Sequence, residues 1–293
     1  WTLSRGLGDV YKRQVLEPET EELAKIYEEL EFNSWLQEVP QKKAIRSEVN
    51  SSYVCVTSEN LLEKIIKEAS KSETIAVDTE TTGLDYMDTD LVGISLSFKP
   101  GEAYYIPLQH QDDSVDQLDM DFVIEKLRPI LEGTKNKIIG QNIKFDKNVL
   151  AKYGIKISSI KNDTMMMSYV LDASATRHNL DALSSYYLNH KTSTFEEVAG
   201  KGVKQITFDQ VAIDVATDYA SEDADITLRL YEELNSRLEN QNSLKKLNEE
   251  IEIPLIEVLS EMEQNGAILN SKILNSQSKD CLLYTSPSPR DRV

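Results

Sequence analysis

Apolar and polar positions along the chain change period partway through, and that change sets the order of the predicted elements. Tyr53 to Thr57, Ile75 to Leu84, Leu91 to Phe98 and Ala103 to Leu108 are short β-rich runs, and side chains of such runs alternate between two faces. A Lys99-Pro100-Gly101 turn joins the last two, which predicts an antiparallel meander following the strand at Ile75. Ser58 is placed to cap a helix with Leu61, Leu62, Ile65, Ile66 and Ala69 on one face. Beyond residue 120 the apolar spacing becomes three and four. Helices are predicted at Phe122 to Leu131, from Asn142 onward, at Thr164 to Leu171, Asn179 to Leu188 and Phe208 to Ala216, and from about Asp218 to Leu238. Lys137 to Gly140 reads as one more short, buried strand. An acidic helical pattern also runs from Glu19 to Leu36, with Leu23, Ile26, Tyr27 and Leu30 in register, ahead of a polar linker at Pro40 to Ser51. Strands first and helices afterwards imply a mixed sheet flanked by helices.

Composition narrows the class. With 293 residues and 40% hydrophobic content the chain can bury a large core. A net charge of -18 argues against gripping nucleic acid over the whole surface, so a polyanion would need a local basic patch. Lys135, Lys137, Lys144, Lys147, Lys152, Lys156 and Lys161, with Lys201 and Lys204 in a glycine loop, could supply one or could be a solvated face. Cys55 and Cys281 support no disulfide framework, and neither a membrane span nor a leader is legible, so a cytoplasmic protein is expected. His110, His178 and His190 lack metal-ligand spacing.

The two ends, 1–14 and 281–293, follow neither period. Asp9 to Gln14 can be encoded by GAT GTG TAT AAG AGA CAG, whose reverse complement, completed by one base, reads as Cys281 to Ser286. One DNA sequence read from both strands thus brackets the chain. It resembles translated transposon-adapter sequence, and both ends are set aside as non-native tails.

The candidate chemistry lies in acids remote from one another. In IAVDTETTGL, Ala76, Asp78 and Glu80 project to one side and Ile75, Val77 and Thr79 to the other. Two carboxylates aimed at one volume raise each other's pKa unless a cation sits between them, and hard divalent cations prefer such oxygens. Alone, the pair could equally be solvated acids at a strand end. On the last long helix Tyr219, Asp223, Ile226, Leu230 and Leu234 form one row, apolar except for Asp223. A carboxylate on a buried face needs a partner. A distant lysine would serve, and so would a metal shared with Asp78, Glu80 and Asp146, the acid in the first turn of the helix that follows Asn142.

Asp78-x-Glu80, Asn142-x-x-x-Asp146 and Tyr219-x-x-x-Asp223, in that order, resemble the three motifs of the DEDD exonuclease superfamily in its tyrosine subclass. ATRHNLDAL (Ala175 to Leu183), KTSTFEEVAGKG (Lys191 to Gly202) and IEIPLIEVLSEMEQNGAIL (Ile251 to Leu269) extend the resemblance to the exonuclease region of bacterial family A DNA polymerases and the first helix of their polymerase domain. Ile26 to Leu36 resembles the tail that follows the 5' nuclease domain of that family. The resemblance implies a ribonuclease H-like mixed β-sheet flanked by helices on both faces, over residues 50–245. It implies a linker and tail of a preceding 5' nuclease domain at 15–49 and a truncated polymerase start at 246–280.

The implied activity is metal-dependent hydrolysis of DNA from its 3' end to nucleoside monophosphates, a proofreading step. Two divalent ions, Mg²⁺ or Mn²⁺, would be held by Asp78, Glu80 and Asp223 and by Asp78 with Asp146. Tyr219 would orient the attacking water. Leu84 would wedge beside the terminal base, Phe195 would stack on it and Asn142 would hydrogen-bond the terminal nucleotide. Read alone, Leu84, Phe195 and Tyr219 could be core residues and Asn142 a helix cap. The implied partners are a single-stranded or frayed DNA 3' terminus and the polymerase domain of the same source chain, in a monomer and without a membrane. An RNA exonuclease of the ribonuclease D kind and an inactive exonuclease-like spacer are the alternatives.

Overall fold

A computed structural model describes residues 51–112 and 114–285, together with Leu23, Ile26, Tyr27 and Phe32. Six strands form one mixed sheet in the order β1-β4-β3-β2-β5-β6. β1 (Ser52–Cys55) leads through α1 (Glu59–Ala69) to the central strand β2 (Thr74–Thr81). β3 (Leu91–Lys99) and β4 (Glu102–Pro107) continue from β2 as the expected antiparallel meander. On the other side β5 (Lys137–Gly140) and β6 (Ile160–Asp163) add in parallel, and β1 closes the far edge parallel to β4.

The alternation of β2 decides which helices lie where. Ile75 and Val77 face a core that includes Leu62 and Ile65 of α1, Val123 and Leu127 of α2 (Met120–Leu131), and Val149 and Leu150 of α3 (Ile143–Lys152). Ala76 faces the opposite way, into a cluster with Ile139 and Leu228. Leu228 belongs to the long helix α7 (Ile213–Glu239), which packs across β1 to β5. Before it come α4 (Thr164–Leu171), α5 (Leu180–Leu183), which runs on as a π-helical turn to Leu188, and α6 (Phe195–Ala199). After it come α8 (Asn242–Leu247), a π turn, α9 (Ile253–Asn265) and α10 (Ser271–Thr285). No helix among the described residues is long and apolar enough to cross a membrane.

Gly93 shows how closely the sheet and its covering are packed. A Cβ there would lie 2.2 Å from the Tyr105 hydroxyl oxygen, so no larger residue fits opposite Glu80. The β2–β3 register also shifts between Glu80 and Thr81. Bulges of this kind re-aim side chains at the rim of a sheet.

Three sequence expectations change. The helix expected at Phe208 to Ala216 is a 3-10 turn, Phe208–Gln210, followed by a break and the start of α7 at Ile213. Buried Phe208 packs against His110 and Tyr219, and Asp112 Oδ2 accepts the Ile213 N–H at 3.1 Å, so a remote acid starts the helix. The sequence predicts no strand at β6, because Ile160–Asp163 holds one apolar residue and its buried positions are the polar Asn162 and Asp163. At the C-terminal end α10 continues through Cys281 to Thr285 where no helical pattern was read; its side chains from Ser271 to Leu282 are exposed, so no buried face imprints a period on it. The early helix at Glu19 to Leu36 and the tail at 1–14 lie largely or wholly outside the described residues, although Leu23, Ile26 and Tyr27 are helical.

Candidate active site

Three carboxyls meet, with a fourth near enough to act on them, where the C-terminal end of β2 passes between α3 and α7. β2 delivers Asp78 and Glu80 on the α7 side, because residues two apart on a strand share a face. α7 delivers Asp223 from its row above Ile226, Leu230 and Leu234, each fully buried. One ligand oxygen from each of Asp78, Glu80 and Asp223 lies within 4.8 Å of the other two. Glu80 is 9% exposed, and its Oε1 is buried without a hydrogen-bond partner among the described residues.

Asp146 reaches the same rim from the opposite layer. It is 2% exposed on the first turn of α3, and its Oδ1 accepts from the Thr79 backbone N–H at 2.9 Å and the Thr79 hydroxyl at 2.6 Å. Thr79 points away from Asp78 and Glu80, so one strand presents two acids to one side and fastens a third from the other. Asp146 therefore stands outside the three-acid cluster while its charge is felt by Glu80. Thr79 had no assigned role in the sequence, although its place between the two acids marked it as the residue facing the other layer.

The electrostatics follow from burial. Desolvation pushes the Asp78 carboxyl up to about 6. Desolvation, then repulsion by Asp78, Asp223 and Asp146, holds Glu80 well above the usual carboxylate range. Desolvation and the Asp78 charge raise Asp146, and the same two causes raise Asp223, with Glu222 and Asp181 adding to it. Among the described residues none of the ion pairs involves any of the four. Clustered carboxyls without a cation, one oxygen of which has no partner, are a donor set that fits divalent metal.

Tyr219 sits one helical turn before Asp223. Burial, then Asp223 and Glu80, raise its phenol, so it stays protonated and can both donate and accept. Phe195 of α6 is brought beside it, with ring centroids 6.5 Å apart, and also stacks on Phe208 at 6.4 Å. It is 38% exposed. Leu84 touches none of this group. It stands 96% exposed on the β2–β3 loop, which excludes a core role.

Asn142 is exposed in the left-handed region at φ 60° and makes no side-chain cap. The cap of α3 comes instead from Asp163, whose Oδ2 accepts the Ile143 N–H at 2.8 Å while Oδ1 accepts from Met165 and Met166 of α4 at 2.9 and 3.2 Å. One buried carboxylate thus starts two helices and leaves the Asn142 amide available. The sequence signal for Asp163 was its position immediately before the helix at Thr164.

Six of the nine lysines singled out in the sequence have partners within the chain. Lys144 and Lys147 pair with Glu263 and Glu257 of α9, Lys161 with Glu249, and Lys201 with Glu196. Lys135 donates to the Ser70 carbonyl, and Lys152 to those of Met87 and Thr89. In a chain this acidic, lysines find carboxylates and carbonyls of the same molecule.

A family model described as 3'-5' exonuclease matches residues 53–239. DNA polymerase I of Pseudomonas aeruginosa is 43% identical over 278 residues, covering 90% of this chain and 30% of the relative, so the chain spans less than a third of that relative's length. Among solved structures, the POL domain of Pol1 from M. smegmatis in complex with DNA primer-template and dNTP has a TM-score of 0.61 at 19% identity, covering 77% of this chain and 34% of that one. Brucella melitensis NrnC with bound Mg²⁺ has a TM-score of 0.54 at 21% identity, covering 74% and 94%. These structural likenesses show a shared ribonuclease H-like fold.

Proposed function

Because the chain belongs to the 3'-5' exonuclease family, in the form carried by bacterial DNA polymerase I, we propose that it hydrolyses DNA from the 3' terminus and releases nucleoside monophosphates. The observation that carries this reading is the convergence of Asp78, Glu80 and Asp223 within 4.8 Å, none of them in an ion pair with a lysine, arginine or histidine among the described residues. Asp78, Glu80 and Asp223 would hold one divalent ion and Asp78 with Asp146 a second, Mg²⁺ or Mn²⁺. Bound there, such ions would supply a Lewis acid that lowers the pKa of water and offsets negative charge on the departing 3' oxygen.

The chain's own residues do the rest. Thr79 fixes the Asp146 carboxyl through two hydrogen bonds, both to Oδ1. Tyr219, held as a neutral phenol, orients the water that attacks the terminal phosphodiester. Phe195 is 38% exposed and so can meet the terminal base, and stacking suits an enzyme indifferent to sequence because every base has a π face. Leu84 wedges beside that base from the β2–β3 loop, and the uncommitted Asn142 amide hydrogen-bonds the terminal nucleotide. A single-stranded or frayed end is the form that reaches these groups.

Within a full-length protein this module would remove misincorporated nucleotides for an adjoining polymerase domain during replication and repair, acting as a monomer in the cytoplasm. The test is Mg²⁺-dependent shortening of 5'-labelled single-stranded DNA, compared with an RNA strand of the same sequence. Loss of activity in Asp78→Ala and Asp223→Ala supports the assignment. Faster digestion of RNA points to a ribonuclease D-like substrate, and no digestion of either strand with metal bound points to an inactive spacer.

A further inference from the structure

The β2–β3 loop holds an apolar side chain almost wholly in water while its own residues bond to one another. Thr81 Oγ1 donates to the Gly83 carbonyl at 2.7 Å, Thr82 N–H to the Asp90 carbonyl at 3.0 Å, and Asp90 N–H to Thr82 Oγ1 at 2.9 Å. At the centre is Thr89, 3% exposed in a loop whose other residues are open to solvent or half-buried. Its hydroxyl accepts the Gly83 N–H at 2.7 Å and lies 3.1 Å from Thr82 Oγ1. Its N–H donates to the Asp85 carbonyl at 2.9 Å, and its carbonyl accepts from Lys152 at the end of α3. Tyr153, the next residue, accepts the Leu91 N–H at 2.9 Å. The helix that brings Asp146 to the site with its first turn therefore grips the loop with its last.

We propose that the Thr89 hydroxyl is a positioning residue that fixes Gly83, and through it sets Leu84 at the height where it meets the terminal base. This rests on the reading of Leu84 as a wedge. An exposed leucine gains nothing from its own packing, so only the loop beneath it determines where it stands. Gly83 is exposed, so losing its hydroxyl partner exchanges that bond for water rather than leaving a buried donor stranded. The fold survives such a change while the height of Leu84 does not. Neither a metal ligand nor a phosphate contact is altered.

The test compares hydrolysis of two single-stranded DNAs, one ending in an ordinary 3' nucleotide and one in a 3' abasic (tetrahydrofuran) nucleotide, by the wild type, Thr89→Val, Thr89→Ser, Leu84→Ala and the Thr89→Val/Leu84→Ala pair. The ratio of rates, base-bearing over abasic, falls about fivefold in Thr89→Val, the size of one net hydrogen bond. It falls in the same sense in Leu84→Ala, no further in the pair, and is retained in Thr89→Ser. Amide exchange at Gly83 speeds up in Thr89→Val and not in Thr89→Ser. Equal loss on both substrates, or full additivity with Leu84→Ala, reduces Thr89 to a structural residue and overturns the proposal alone. A Leu84→Ala protein with an unchanged ratio overturns the wedge itself, and the proposal falls with it.

Discussion

Replacing Asp78 by Asn should make the metal-free protein more stable, the opposite of what removing a buried polar partner does elsewhere. Burial raises the Asp78 carboxyl from 3.8 to about 6. A shift of about two units is on the order of 3 kcal/mol of ionisation cost carried by the folded state at neutral pH. Because the folded-state value lies above the unfolded one, the folded protein binds more protons between the two, and stability contributed by this group is full below about pH 4 and lost as pH rises through about 6. Asn has the same shape and no charge. In EDTA at pH 7.5 the Asp78→Asn protein should melt higher than the wild type by roughly 6 to 12 °C for a domain of this size, the gap closing as pH falls to 4. With millimolar Mn²⁺ the order should invert, since the wild type gains binding energy and the variant loses a ligand. Thermal unfolding followed by far-UV circular dichroism, in both buffers across that pH range, reads the whole pattern. A variant that is less stable than the wild type in EDTA, or a gap that widens on acidification, would refute the account of Asp78 as a carboxyl raised by burial.

Three further outcomes follow from other parts of the site. Tyr219→Phe should lower kcat by about 10²-fold while leaving Mn²⁺ affinity by calorimetry unchanged, because the phenol orients a water and holds no metal; a weakened affinity would place the hydroxyl among the ligands. Phe195→Ala should raise KM for single-stranded DNA by a factor corresponding to roughly 1 to 3 kcal/mol of lost stacking, measured by initial rates, and an unchanged KM would return Phe195 to the packing of Phe208 and Tyr219. Asp163→Ala should destabilise the fold by roughly 1 to 2 kcal/mol in urea unfolding, since one carboxylate starts both α3 and α4; a smaller loss would show that neighbouring groups replace the cap.

Why some of this was legible and some was not depends on the range of the interaction. The strand at Thr74–Thr81, the meander after it and the helix at Thr164–Leu171 followed from spacing alone, because alternation and helical rows are properties of neighbouring residues. The row Tyr219, Asp223, Ile226, Leu230, Leu234 was readable for the same reason, and so was its anomaly, an acid on an apolar face. Thr79 holding Asp146, Asp163 capping Ile143, and Asp112 starting α7 join residues 67, 20 and 101 positions apart. No local pattern encodes such pairs. For the lysines, composition states how many cations there are and not which carbonyl or carboxylate each one meets.

By itself the chain's pattern determined that four acids lie on strand and helix positions able to face a common space, since side-chain direction follows from backbone period. Only the tertiary structure decided that β2 would run between α3 and α7, so that Asp78 and Glu80 look toward one layer and Thr79 fastens Asp146 from the other. Register and layer order arise from burial of whole faces against each other, and that is a choice made among elements distant in sequence.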